Sequence, residues 1–196
     1  GYTMIYNIAI DGPAGAGKST IARRVARELS FIYVDTGAMY RAMALYMIEH
    51  KIDVSHLDEV GSACDAITID IQYSAGEQQV ILNGKNVNDF IRTETVSEMS
   101  SKISAIPEVR AKLLSLQRSL AAASNVIMDG RDIGTHVLPN ADVKIFLTAD
   151  AHVRAVRRYE EFIAKGVSCT LENVEREVIE RDERDMNRAI APLKQA

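Results

Sequence analysis

The chain has 196 residues, 47% of them hydrophobic, with a formal net charge of −4 and a pI of about 5.6. That length and apolar content suit one core-forming domain with at most a modest insertion, and they exclude wholesale disorder. The acidic balance argues against a general nucleic-acid binder, so an anionic ligand would need locally concentrated positive charge. Two cysteines, Cys64 and Cys169, lie far apart without metal-ligand spacing and read as inert thiols of a reducing compartment. Nothing resembles a signal peptide, and no apolar run approaches the roughly 20 residues of a membrane span. A cytoplasmic monomer with no nucleic-acid or membrane partner is expected. Residues 1–3 read as an added leader ahead of Met4 and are set aside from fold reasoning.

In chain order, the apolar run Ile5–Ile10 predicts a buried strand ending at Asp11-Gly12. Ser19–Ser30 has helical spacing, with Ile21, Val25, Ala26 and Leu29 on one face. Phe31–Val34 predicts a second strand and Met39–His50 a second helix. This strand–helix alternation implies a parallel sheet with right-handed crossovers, hence an α/β fold. The pattern then changes. Ile67, Ile69 and Ile71 alternate with polar residues up to Tyr73, a turn follows at Ser74-Ala75-Gly76, and Val80-Ile81-Leu82 leads into the hairpin dipeptide Asn83-Gly84. Residues 66–92 therefore predict a small antiparallel β insertion into a core formed by 1–65 and 93–196. Helices are expected at Val96–Ser104 and Glu108–Ala123, and strands at Val126–Asp129 and Val143–Leu147. Ala151–Lys165 predicts a helix stopped by Gly166, and Thr170 can cap a last helix from Leu171 to about Met186. A further strand and helix would be a natural continuation of this sheet.

The sharpest chemical signal is Gly12-Pro13-Ala14-Gly15-Ala16-Gly17-Lys18-Ser19, a full G-x-x-x-x-G-K-[ST] phosphate loop between a buried strand and an amphipathic helix. Glycines let consecutive backbone N–H groups point at phosphate oxygens, and the following helix adds its positive N-terminus. Lys18 can reach the β- and γ-phosphates of ATP, and the Ser19 hydroxyl can sit on Mg²⁺, with Thr20 adjacent. No guanine-reading N-K-x-D tetrapeptide occurs, which counts against a GTPase.

Fifteen of the 23 basic residues are arginines, and seven of these lie between Arg154 and Arg188. Arg181, Asp185 and Arg188 have i, i+4, i+7 spacing and share a helical face. The surrounding acids, from Glu172 to Glu183, equally fit a solvated, salt-bridged helix, and pattern alone leaves both readings open. Two more segments, Asp35-Thr36-Gly37-Ala38-Met39-Tyr40-Arg41 and Asp129-Gly130-Arg131-Asp132-Ile133-Gly134-Thr135, follow the second and third strands. In a doubly wound sheet, ligands bind at those carboxyl ends.

The strings IDGPAGAGKST, VDTGAMYRA, MDGRDIGT and RDERDMNR with APLKQA, in this order and at these separations, closely resemble the bacterial cytidylate kinases. The resemblance spans nearly the whole chain. It implies ATP-dependent phosphorylation of CMP and dCMP, with Mg²⁺ as cofactor. It places ATP on Gly12–Thr20 and Arg157, and the acceptor phosphate among Thr36, Arg41 and Arg131. Many family members carry Ser at the position of Thr36. It assigns Ser101, Arg110 and Asp132 to the cytosine, and Arg181, Asp185 and Arg188 to ribose and phosphates. Lys18, Arg131, Arg158 and Arg188 are the implied catalytic residues. Arg154, Arg157 and Arg158 fall in a mobile lid running to about residue 168. The lid arginines are expected to lack anionic partners without nucleotide, leaving that stretch less ordered. The resemblance also identifies residues 66–92 as an extra substrate-side sheet. His136 departs from the usual apolar residue and reads as a packing or surface group. The family usually runs some twenty residues further. Phosphorylation of another small acceptor, and nucleotide binding without turnover, are the competing functions.

Overall fold

The computed structural model describes residues 4–187 and 192–196. In chain order it contains β1 (Asn7–Asp11), α1 (Lys18–Leu29), β2 (Ile32–Asp35), α2 (Thr36–Glu49), α3 (Leu57–Ala66), β3 (Ile69–Ser74), β4 (Glu77–Leu82), β5 (Lys85–Asn86), α4 (Glu94–Ile103), α5 (Pro107–Ala123), β6 (Val126–Gly130), β7 (Val143–Phe146), α6 (Ala151–Ala164) and α7 (Leu171–Asn187).

β2, β6, β1 and β7 form a parallel sheet in that spatial order. Side chains alternate across it. Ile8, Ile10 and Ile127 pack with Ala22 and Ala26 of α1 on one face. Ala9, Val34, Val126 and Met128 face the larger core, which includes Met39, Met43 and Met47 of α2 and Leu113 of α5. With helices on both faces, neither face of the interior strands can be polar, which is why they read as unbroken apolar runs. The register sets Asp11 beside Gly130 and Phe146, and Asp35 beside Asp129, so the segments after β1, β2 and β6 emerge along one edge. The crossover after β1 leads to β2 on one side and that after β6 leads to β7 on the other. The crevice between them opens at the carboxyl end of β1.

β3, β4 and β5 form the expected antiparallel sheet. Leu82 pairs with Lys85 across Asn83-Gly84, whose φ angles of 47° and 82° are those of a type I′ turn. Ser74 pairs with Glu77 across Ala75-Gly76 in the same way, at 52° and 79°. Val80 and Leu82 are buried in the same core as Met43 and Met47, so this sheet and the parallel one share one hydrophobic interior.

Two details depart from the sequence reading. Ile67 is buried but caps α3, and the strand begins at Ile69. The helix α3 was not foreseen. Its signal is short: Val60, Ala63 and Cys64 are its buried residues, and Asp58 and Glu59 occupy its first turn. Gly61 weakens the pattern. Among the described residues, no helix is long and apolar enough to cross a membrane.

Ala75 holds a left-handed conformation, which for an L-residue other than Gly, Asn or Asp costs roughly 1–2 kcal/mol. Ala75→Gly removes that cost, offset in part by a more flexible unfolded chain. Thermal unfolding should show Tm raised by about 2 °C; a lower Tm would mean the turn carries no strain.

Candidate active site

The phosphate loop is shaped by close approaches. Gly12 has φ 148°, and a Cβ there would lie 2.0 Å from the carbonyl oxygen of Leu147, so no other residue fits without moving backbone. Asp11, just before it, accepts the N–H groups of Ile133 and Gly134 at 2.8 Å each, tying the loop to the turn after β6. Burial raises the pKa of Asp11 against those hydrogen bonds. The Lys18 ammonium donates to the carbonyls of Gly12 (2.9 Å) and Pro13 (3.2 Å), curling the loop around itself. Burial, and secondarily the nearby Arg131, lower the Lys18 pKa to about 8. From α6, Arg154 donates to the carbonyl of Ala14 (3.0 Å) and Arg157 to that of Gly15 (3.3 Å).

At the end of β2, Asp35 serves three neighbours. One carboxylate oxygen caps α2 by accepting from the Ala38 N–H at 3.1 Å. The other lies 3.4 Å from Arg41 and 3.3 Å from Arg92. Burial pushes the Asp35 carboxyl up, but Arg41 and Arg92 more than reverse this and hold it below the usual range. The Thr36 hydroxyl donates to the carbonyl of Asp129 at 2.6 Å, which uses its only proton. Asp129 accepts from the Tyr33 hydroxyl at 2.8 Å. Burial, opposed by Lys18 and reinforced by Asp35, lifts Asp129 to about 6.

The remaining arginines meet carboxylates across the crevice. Arg110 pairs with Asp132, donates to the Ser104 carbonyl at 2.9 Å and lies over the Tyr40 ring at 5.5 Å. Arg131 pairs with Asp185, and Arg158 with Glu94. Arg154 holds Asp182 with both terminal nitrogens, one contact being 3.0 Å. From α7, Arg181 donates to Ser97 (2.8 Å) and Arg184 to Ser101 (3.2 Å). Burial, then Arg131, lower Arg181 to about 10.

Together these groups enclose one open cavity of about 860 Å³, inside the usual range for small-molecule sites. Its walls unite Ala14–Thr20, Thr36, Arg41, Ser101, Arg110, Arg131, Asp132, Arg154, Arg157, Arg158 and Arg181. Gly12 and Pro13 shape the loop through their carbonyls. Asp185 is buried and partnered by Arg131. Arg188 lies outside the described residues. Arg92, Arg184, Ser97 and Glu94 also line the cavity and were not foreseen; their only sequence signal was charge or a hydroxyl on a helix or beside the insertion. His136 is an exposed surface group whose carbonyl accepts from Arg118.

One expectation is corrected. Two of the three arginines of α6 have anionic partners without any nucleotide. Arg154 is only 4% exposed and bound to Asp182, and Arg158 is paired with Glu94. Those carboxylates lie 28 and 64 residues away, beyond reach of any local pattern.

A sequence profile of the cytidylate kinases matches residues 8–196. The chain belongs to the cytidylate kinase family. It is 52% identical over 191 residues to a cytidylate kinase of Carboxydothermus hydrogenoformans, covering 96% of this chain and 85% of that one. It is 48% identical to that of Halalkalibacterium halodurans (97% and 86% covered) and 46% identical to that of Lactobacillus johnsonii (100% and 85% covered). This is a family of nucleoside monophosphate kinases, and in this chain the phosphate loop forms one wall of the cavity described above.

The lowered Lys18 pKa gives a signed prediction. Lys18 is charged below about pH 8 and neutral above it, so its attraction for phosphate fades as pH rises. In wild type, kcat/KM for ATP should fall above about pH 8, reporting the free enzyme. Lys18→Arg cannot lose its proton, and its profile should lack that bend. Lys18→Met should lose roughly 10² or more in kcat. A bend persisting in Lys18→Arg would assign the titration to another group.

Proposed function

We propose that this chain transfers the γ-phosphoryl group of ATP to CMP, and to dCMP, giving CDP and dCDP. The observation that carries this is the joint cavity. A phosphate loop forms one wall, the Arg110–Asp132 pair lies in another, and Arg41 and Arg131 line it as well. Donor triphosphate on the loop and acceptor phosphate on Arg41 and Arg131 would face each other for in-line transfer. Such transfer needs positioning and neutralisation of spreading charge rather than covalent help. The acceptor phosphate oxygen is already ionised near neutral pH, so no general base is required. Two buried guanidinium nitrogens, Arg41 Nε and Arg181 Nε, make no hydrogen bond among the described residues, which suits an anionic ligand in this cavity.

Mg²⁺ fits the same wall. Ser19, Asp35 and Asp129 line the cavity and offer only hard oxygen donors, the type this ion prefers. Ser19 would hold it together with the phosphates, and when bound it would supply charge neutralisation across them. Lys18 and Arg131 then stabilise the transferring group from the protein side. We further read the stretch from Arg157 in α6 to about residue 168 as a lid whose fixed end is the buried Arg154. Closing brings Arg157 and Arg158 over the donor phosphates and excludes water. The sheet of β3–β5 belongs to the acceptor side.

Base choice follows from Arg110 and Asp132. A carboxylate only accepts hydrogen bonds, which suits the amino group of cytosine and repels the carbonyl of uracil. A guanidinium only donates, which suits cytosine O2 and N3. Assaying ADP release with CMP, dCMP, UMP, AMP and shikimate tests the function: CMP and dCMP should turn over, and UMP should trail CMP by up to about 10⁴ in kcat/KM. Turnover of shikimate or AMP in preference to CMP would overturn the acceptor.

A sharper test replaces Asp132 with asparagine, of nearly the same shape, whose amide can donate as well as accept. The CMP-to-UMP ratio of kcat/KM should fall at least about tenfold. A purely structural Asp132 would instead lower both substrates by one factor and leave the ratio fixed.

A further inference from the structure

Gln78 is a polar residue where the pleat calls for an apolar one. Along β4, Gln78, Val80 and Leu82 point the same way, and the latter two are buried in the core. The amide of Gln78 makes one donated and one accepted hydrogen bond, both with the backbone of Asp35. Its oxygen accepts the Asp35 N–H at 3.1 Å, and its nitrogen donates to the Asp35 carbonyl at 3.0 Å. These are the two bonds a neighbouring strand would make. Among the described residues β2 is an edge strand of the parallel sheet, with β6 on its other side, and no strand pairs with its outward backbone groups. Gln78 supplies that partner at the single residue whose carboxylate organises the acceptor wall.

The connection continues through Asp35. Its carboxylate caps α2 and sits between Arg41 and Arg92. Arg92 is the last residue of the 66–92 insertion, so the insertion grips Asp35 twice, once by its backbone from β4 and once by its carboxylate from its C-terminal end. A shift of the Asp35 main chain would carry the carboxylate with it and turn the Arg41 guanidinium. Arg41 is half-buried, shares this carboxylate with a second cation, and so has little freedom to compensate.

We infer that Gln78 is a positioning residue for the acceptor nucleotide: it fixes Asp35, and through Asp35 the Arg41–Arg92 pair, and so couples the small antiparallel sheet to acceptor binding without touching substrate. This rests on the reading of Arg41 as an acceptor-phosphate group. The donor side is held separately, by Lys18 and Arg154 on the loop carbonyls. The effect should therefore be confined to one substrate.

The test is a double-mutant cycle on the intact chain. Gln78→Met keeps the length of the side chain and removes both hydrogen bonds. KM for CMP should rise about tenfold, while KM for ATP and kcat stay within about twofold. Arg41→Met alone should raise KM for CMP more strongly, and adding Gln78→Met to it should change little further, because the pathway is already cut. If the methionine variant is too unstable to assay, Gln78→Glu retains the length, loses the donor and should show the same split. A Gln78 variant with lower Tm but unchanged KM for CMP would make the residue merely structural and overturn the inference. So would full additivity with Arg41→Met. If Arg41→Met itself leaves KM for CMP unchanged, the reading of the acceptor wall fails, which is distinguishable from failure of the Gln78 coupling alone.

Discussion

Arginine cannot shed its proton, and nine arginines converge on one crevice. That constraint shapes the rest of the site. Like charges at this density would repel one another and the fold would carry the cost, so each cluster is met by acidic groups. Asp35 serves Arg41 and Arg92, Asp132 serves Arg110, Asp185 serves Arg131, Asp182 serves Arg154 and Glu94 serves Arg158. A chain of net charge −4 thereby gathers Lys18 and nine arginines around one cavity, six of those arginines held against carboxylates. The carboxylates also aim the guanidinium groups, each planar fork being oriented by its partner.

The same constraint resolves the two readings of the last helix. α7 is both a charged, solvated surface and a wall of the site, on different sides. Glu172 and Glu183 are exposed, whereas Asp185 is buried beneath Arg131 and Arg181 reaches Ser97. Helical spacing put Arg181 and Asp185 on one face. Nothing in spacing shows that the acid there would bind a protein arginine.

What was legible in the sequence was local. The phosphate loop, the Asp35–Arg41 and Asp129–Thr135 segments and the hairpin at Asn83-Gly84 each carry their chemistry within a few residues, and the strand periodicity fixed which edge they share. What was not legible depends on contacts distant in sequence. Gln78 looks like any strand glutamine until β4 is laid beside Asp35, 43 residues away. Arg92 and Arg184 were unremarkable charges until folding brought them to the cavity. The perturbed Lys18 and Asp129 are likewise products of burial, which composition cannot report. α3 was missed for a different reason: it is short and interrupted by Gly61, so its three buried residues form too weak a stripe.

The shared hydrophobic interior has a bearing on how such a chain could change over generations. Because Val80 and Leu82 are part of the same packed interior as Met43 and Met47, the antiparallel sheet is not a cassette that can be lost or exchanged whole. Excising it would leave the methionine-rich side of α2 uncovered, and grafting in an unrelated hairpin would have to match those side chains in volume. Flexible, unbranched methionines accept varied neighbours more readily than branched residues do. Drift in this region should therefore run through paired substitutions across the α2–β4 contact, with the length of the segment held nearly constant.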